Sequence, residues 1–245
     1  MKLFLTSSAA GFVTINGISV LREFARANGF LNLLKKQLIS PVKCIVMASD
    51  PQRYAANDAF ASSLGDGFLI DGFQLERVEV CDSRNSKTIV DRIDEYNVVF
   101  LAGGHVPTQN LFFKSIDLKS RLKNYDGVVI GRSAGSMNCA DIVYAQPELV
   151  GEAIDPNYER YLDGLGLINF SIIPHFEFIK DEMLDGLDIV KDICLPDSKI
   201  RPFYALINNS FIYSENGCST LFGEAYFFKD GGFDLICWEE KSIDL

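Results

Sequence analysis

VVIGRSAGSMNCA, residues 128–140, is the stretch on which the fold turns. Val128, Val129 and Ile130 are β-branched and run straight into Gly131-Arg132-Ser133-Ala134-Gly135, after which small residues continue in a helix-compatible pattern. A strand that ends by setting a serine between two glycines and then enters a helix makes a cramped turn. The middle side chain of such a turn projects above the C-terminal edge of the sheet. Gly131 and Gly135 leave room where a Cβ would meet the neighbouring strand and helix. The turn also brings the Ala134 backbone N–H and the next helix N-terminus beside Ser133, where they favour negative charge on an oxygen. The competing reading is a tight strand-to-helix connection with a serine cap, since such pentapeptides arise by chance; the strand before and the helix after favour the first.

Working outward, KLFLTSS, PVKCIVMAS, LERVEVCD and NVVFLAGG are short apolar or alternating runs, each closed by small or polar residues. Between them lie SVLREFARANGFLNLLKKQL, DPQRYAANDAFASSLGDGF, SRNSKTIVDRIDEY and PTQNLFFKSIDLKSRLKNY, which read as helical, several with a capping Ser, Asp or Thr. This alternation predicts an α/β fold: a mostly parallel, doubly wound sheet with helices on both faces. After residue 142 the pattern loosens into a long polar excursion, AQPELVGEAIDPNYERYLDGLGLINF, of a length more often functional than incidental. FSIIPHFEF then reads as a strand and IKDEMLDGLDIVKDIC as an acidic helix. FYALINNSFIYSENGCSTLFGEAYFF reads as hairpins broken at Asn-Asn, Glu-Asn-Gly and Phe-Gly-Glu, giving a β-hairpin-rich C-terminal part. With no linker, repeat or low-complexity tract, residues 1–245 are expected to form a single domain.

The net charge of −10 and pI near 4.7 argue against nucleic acid as a partner, because a polyanion is repelled. No apolar run approaches a membrane span, and MKLFLTSSAAGF reads as a first strand rather than a secretory leader. Cys44, Cys81, Cys139, Cys194, Cys218 and Cys237 are scattered without a CxxC pair, so buried free thiols in a reducing cytoplasm are expected. The same scatter, with only two histidines, gives no expectation of a metal or other cofactor.

A serine nucleophile needs a base, and the choice is between His105 and His175. His175 ends a predicted strand, where the sheet edge could bring it beside Ser133. His105 follows Leu-Ala-Gly-Gly directly; Gly104 N–H could serve as a second oxyanion donor and the His105 ring could line the pocket. Either histidine could instead be a satisfied core or loop residue.

With these stretches together, the sequence resembles the dipeptidase E and cyanophycinase family of serine peptidases, related in fold to class I glutamine amidotransferases. LAGGHVPTQNLFF, VVIGRSAGSMNCA, AIDPNYERYLDGLGLINFSIIPHF and ALINNSFIYSENG carry the resemblance in order across most of residues 98–217. It implies Ser133 as nucleophile, His175 as general base and then acid, and the N–H groups of Gly104 and Ala134 as oxyanion hole. Ser133 stands where the amidotransferases carry Cys, which disfavours glutamine hydrolysis.

The family places a carboxylate in the late hairpin at the position of Asn208, and an amide stabilises an imidazolium less well. Glu177, two residues after His175, would share its face on a strand and offers a substitute; an exposed charge at a strand end is the alternative. Asp155 matches the family's Asp-Pro-Asn turn, as ligand contact or turn former. Arg132, Arg160 and Arg201 are the candidates for holding a substrate carboxylate, or are surface charges. The expected partner is a short peptide or other small substrate, and a homodimer is compatible with this reading. The competing functions are a non-catalytic binding or regulatory protein on the same fold and an esterase or amidase acting on a small metabolite.

Overall fold

The computed structural model describes residues 1–15 and 18–245. Its strands in chain order are β1 (Lys2–Thr6), β2 (Ala10–Ile15), β3 (Ile18–Phe24), β4 (Val42–Met47), β5 (Leu75–Cys81), β6 (Val98–Leu101) and β7 (Val128–Arg132). There follow β8 (Ile142–Tyr144), β9 (Tyr161–Asp163), β10 (Ser171–Ile173), β11 (Met183–Leu184), β12 (Leu187–Asp188) and β13 (Phe203–Leu206). The last are β14 (Phe211–Glu215), β15 (Cys218–Phe222), β16 (Ala225–Lys229), β17 (Gly232–Cys237) and β18 (Ser242–Asp244). The α-helices are α1 (Phe30–Gln37), α2 (Tyr54–Ile70), α3 (Ser86–Ile89), α4 (Val106–Ser115), α5 (Leu118–Leu122), α6 (Ala134–Met137), α7 (Phe176–Ile179) and α8 (Leu195–Ser198).

An eight-stranded sheet runs in the order β18-β15-β14-β1-β7-β6-β4-β5. From β1 to β5 all neighbours are parallel, while β14, β15 and β18 add an antiparallel flank. Strand periodicity explains why both faces are covered. Leu3, Leu5, Ile45, Met47, Val99, Leu101 and Val129 join one core with Phe112, Phe113, Leu118 and Leu122 of α4 and α5. Their sequence neighbours Phe4, Cys44, Val46, Val98, Phe100, Val128 and Ile130 join the opposite core with Leu31, Leu34, Leu64 and Phe68 of α1 and α2. Alternate residues of each strand thus feed opposite faces, and both are capped by helices, as in doubly wound sheets. A second sheet, β10-β13-β16-β17, packs its own core around Tyr144, Ile173, Phe176, Phe203 and Phe228.

Three segments depart from the sequence expectation. Ile18–Phe24, expected to open a helix, forms β3 paired with β2, and α-helix begins only at Phe30, after a 3-10 turn over Ala27–Gly29. The expected acidic helix over 179–194 contains the β11–β12 hairpin, turned by Asp185 (φ 53°) and Gly186 (φ 85°), followed by one π-helical stretch, Ile189–Cys194. Asp-Gly is the pair that tolerates positive φ at both turn positions, which is why the hairpin displaces the helix. Of the three expected hairpin breaks only Glu-Asn-Gly turns a hairpin between adjacent strands, β14 and β15; Asn-Asn and Phe-Gly-Glu carry the chain from one sheet to the other, and a further hairpin, β16–β17, turns at Asp230-Gly231. All six cysteines are free, five buried and Cys218 exposed.

Candidate active site

β7 delivers Ser133 at φ 49°, ψ −117°, a conformation that a non-glycine residue holds only when its surroundings enforce it. The enforcement comes from the end of β1. Ser133 N–H donates to the Thr6 carbonyl at 2.9 Å, and the Ser136 hydroxyl donates to the same carbonyl at 2.8 Å while accepting from Thr6 N–H at 2.8 Å. The Thr6 hydroxyl in turn donates to the Gly131 carbonyl at 2.8 Å. A Cβ on Gly131 would sit 2.8 Å from the backbone N of Ser136, and one on Gly135 would run into the Leu101 carbonyl. Gly135→Ala is therefore expected to cost about 3 kcal/mol or more, at the upper end of overpacking penalties. Urea denaturation, read beside the reactivity of Ser133, measures it.

His175 follows Pro174, which ends β10 after Ile173, so the expected strand stops short of the histidine. The residue turns into the left-handed region (φ 58°, ψ 31°) and opens the single turn of α7. Its N–H donates to the Ser7 hydroxyl at 2.6 Å, tying it to the residue after β1. Ser133 and His175 line one cavity of about 310 Å³ beyond the carboxyl ends of the parallel strands, together with Gly104. Ala134 begins α6 immediately after the serine.

His175 Nδ1 lies 2.7 Å from Asn208 Oδ1. The amide oxygen can only accept, so Nδ1 carries the proton and donates, leaving Nε2 with its lone pair. Asn208 N–H donates to Glu177 Oε1 at 2.9 Å, and Glu177 Oε2 is buried with no hydrogen-bond partner among the described residues. Glu177 lies in a helical turn, so the shared strand face expected for His175 and Glu177 does not exist; the carboxylate reaches the histidine only by way of Asn208. Burial pulls the His175 pKa below its ordinary value of 6.5. The Asn208 hydrogen bond and Glu177 oppose this, and Arg132 adds to the lowering.

The remaining candidates divide. Gly104 lines the cavity, but His105 is not among its lining residues: Nε2 is 2.8 Å from Glu152 Oε1 and Nδ1 is 2.8 Å from the Thr108 hydroxyl. Asp155 is exposed, and its carboxylate accepts from Asn157 N–H at 2.9 Å, the bonding of a turn former. Arg132 lines a separate cavity of about 140 Å³ with Ser49, Asp50, Arg53 and Phe60, its guanidinium 5.9 Å from the Phe60 ring centre. Burial lowers the Arg132 pKa to about 10. Arg160 is held by Asp197 at 2.9 Å and Arg201 by Asp141 at 3.1 Å, so both are engaged in ion pairs within the chain.

The cavity also contains residues that sequence reading passed over: Gln146, Pro147 and Glu148 from the long excursion between β8 and β9, and Phe178 and Glu182 from and after α7. The excursion's length was the available signal, and it pointed to the segment without picking out these side chains. Thr6, Ser7 and Ser136, which brace the serine and histidine, lie in a plain strand end and a small-residue helix and carry no signature. Among the described residues no group of three or more His, Cys, Asp or Glu is placed to hold a metal ion, and no helix is long and apolar enough to cross a membrane.

A crystal structure from Listeria monocytogenes EGD-e, described as a "Putative Peptidase E Protein", superposes with a TM-score of 0.55 at 16% identity, covering 93% of this chain and 98% of that one. At that identity the likeness speaks for the fold. The sequence model of peptidase family S51 matches residues 47–221, which include Ser133, His175, Glu177 and Asn208. No curated protein matches the sequence. The class defined is a serine-type peptidase on an α/β scaffold. The chain belongs to peptidase family S51.

Proposed function

We propose that this chain hydrolyses short peptides through an acyl-enzyme on Ser133, in the manner of the dipeptidase E group and in the cytoplasm. The observation that carries the reading is the strained Ser133 in one cavity with a His175 whose Nδ1–H is held by Asn208. Ser133 Oγ attacks the scissile carbonyl carbon while His175 Nε2 takes its proton, and Gly104 and Ala134 N–H receive the oxyanion. His175 then returns the proton to the leaving amine, and water releases the acid by the same steps in reverse order. A cavity of about 310 Å³ suits a small ligand rather than a folded protein. Of the three arginines that could hold a substrate carboxylate, Arg160 and Arg201 are engaged with Asp197 and Asp141, and Arg132 lines a separate cavity. We take residues 1–245 as one domain, since the first sheet carries the serine and the second sheet's β10 leads to the histidine.

Exposure to a peptidyl phosphonate tests the mechanism: the expected result is a single adduct on Ser133 by mass spectrometry together with cleavage of a dipeptide panel. Neither adduct nor cleavage would overturn it in favour of a non-catalytic binding role, the reading that an amide at position 208 favours. A pH profile adds a second check. The base works when neutral, and burial lowers its pKa, so kcat/KM is expected to climb to its plateau at lower pH than an ordinary imidazole of 6.5 would give.

A further inference from the structure

β5 ends the eight-stranded sheet and, among the described residues, pairs with β4 alone, so its outer edge has no strand beside it. Ala48 N–H donates to the Cys81 carbonyl at 3.1 Å, which turns the main chain of Cys81, and by alternation that of Glu79 and Arg77, toward β4. Val78 and Val80 therefore present N–H and C=O outward. The Val80 carbonyl accepts from the Asn85 side chain at 2.7 Å, in keeping with that direction; among the described residues nothing caps Val78 in the same way. Edge strands are usually kept single by brevity, lysine, proline or a bulge. Leu75–Cys81 has seven residues with neither lysine nor proline, and its one irregularity lies at its start, opposite Val42 and Lys43.

The charges on this edge are self-complementary. Arg77 and Glu79 project from one face of the strand, 3.3 Å apart and both half-buried. Around them Lys43 and Arg92 are balanced by Glu76 and Glu95, so three charges of each sign gather there on a chain whose net charge is −10. Two copies can approach along this face without the repulsion that the rest of the surface imposes. On the opposite face Leu75, Val78 and Val80 border a groove of about 690 Å³ against α2, at whose end Leu69 and Ile70 are exposed. Covering that groove removes apolar surface from water.

We propose that a second copy of this chain pairs along β5, antiparallel, about a two-fold axis through Val78. The two Val78 residues then exchange main-chain hydrogen bonds. The flanking pairs, where side chains approach most closely, set Arg77 opposite Glu79 of the second copy and Glu79 opposite its Arg77. An axis at Arg77 or Glu79 would oppose like charges, and one at Val80 would compete with the Asn85 bond, so the sequence selects one register. A two-fold contact closes on itself instead of growing into a filament. β4 and β6 separate β5 from β7, so the contact leaves the Ser133 cavity uncovered and does not depend on the hydrolase reading.

Sedimentation velocity over a concentration series, on chains checked by circular dichroism, tests the pairing. The native chain is expected to sediment as a dimer. Arg77→Glu and Glu79→Arg each set like charges opposite one another and are expected to weaken association about tenfold or more. An equimolar mixture of these two variants has opposite charges in both flanking pairs, so it should form a heterodimer near the native affinity. A native chain that stays monomeric would overturn the proposal, as would a dimer insensitive to both substitutions or a mixture that associates no better than its components. Hydrogen exchange reads the same contact on the native chain: the Val78 amide should be protected in the dimer and exchange freely in the monomer obtained by dilution, and equal exchange in both overturns the pairing.

Discussion

Ser133→Ala is expected to lower kcat for dipeptide hydrolysis on the order of 10⁴- to 10⁶-fold, because nucleophile and base act as one unit. The same reasoning fixes the double variant. His175→Ala alone should fall in the same range, and Ser133→Ala with His175→Ala should be no worse than the worse single change, since a base without a nucleophile has nothing to deprotonate. The protein should stay folded in each case, because both side chains border a cavity and the bracing contacts around the turn involve Ser133 N–H and His175 N–H rather than their side chains. Residual turnover within tenfold of the unmodified chain would remove Ser133 from the chemistry. Purified variants measured at substrate saturation give the answer.

Asn208→Leu is expected to cost about 10³- to 10⁴-fold in kcat, because the ring then loses the acceptor that fixes its tautomer. Where a carboxylate-to-amide exchange is ruinous elsewhere, it is so through the wrong tautomer; here the amide oxygen already faces Nδ1 at 2.7 Å, so Asn208 serves orientation while giving up charge stabilisation. Asn208→Asp separates the two contributions. It keeps the acceptor and adds a negative charge beside Glu177, so the His175 pKa should rise and the acidic limb of kcat/KM should move to higher pH. A limb that stays in place would show that position 208 does not contact the working imidazole. Intact turnover in Asn208→Leu would show the same.

The parallel half of the fold was legible because β1, β4, β6 and β7 are apolar runs closed by glycine or small polar residues, and because Gly131 and Gly135 bracket a single serine. The strand that was missed, Ile18–Phe24, carries Leu, Arg and Glu compatible with helix, and pairing with β2 rather than intrinsic preference sets its conformation. The hairpin within 179–194 was announced by Asp185-Gly186, a turn pair outweighed by the surrounding acidic, helix-compatible residues. Ser133 and His175 were visible as candidates, and the structure places both on one cavity. Their relation to Asn208 and Glu177 was not, because it depends on His175 taking positive φ after Pro174, which turns Glu177 from a strand neighbour into a ligand of the Asn208 backbone. Gln146 and Glu148 escaped notice because a polar excursion has no periodicity from which to pick its inward side chains.

Asn208 lies where the chain leaves β13 of the smaller sheet for β14 of the larger, and His175 follows a strand that is itself hydrogen-bonded to β13. On the proposed mechanism the serine would emerge long before the residues that activate it, and the imidazole would gain its orienting partner only once the chain extends through the crossover at 208. A nascent molecule would carry its hydroxyl harmlessly past other growing polypeptides, and proteolytic nicking near that crossover would disarm the mature one.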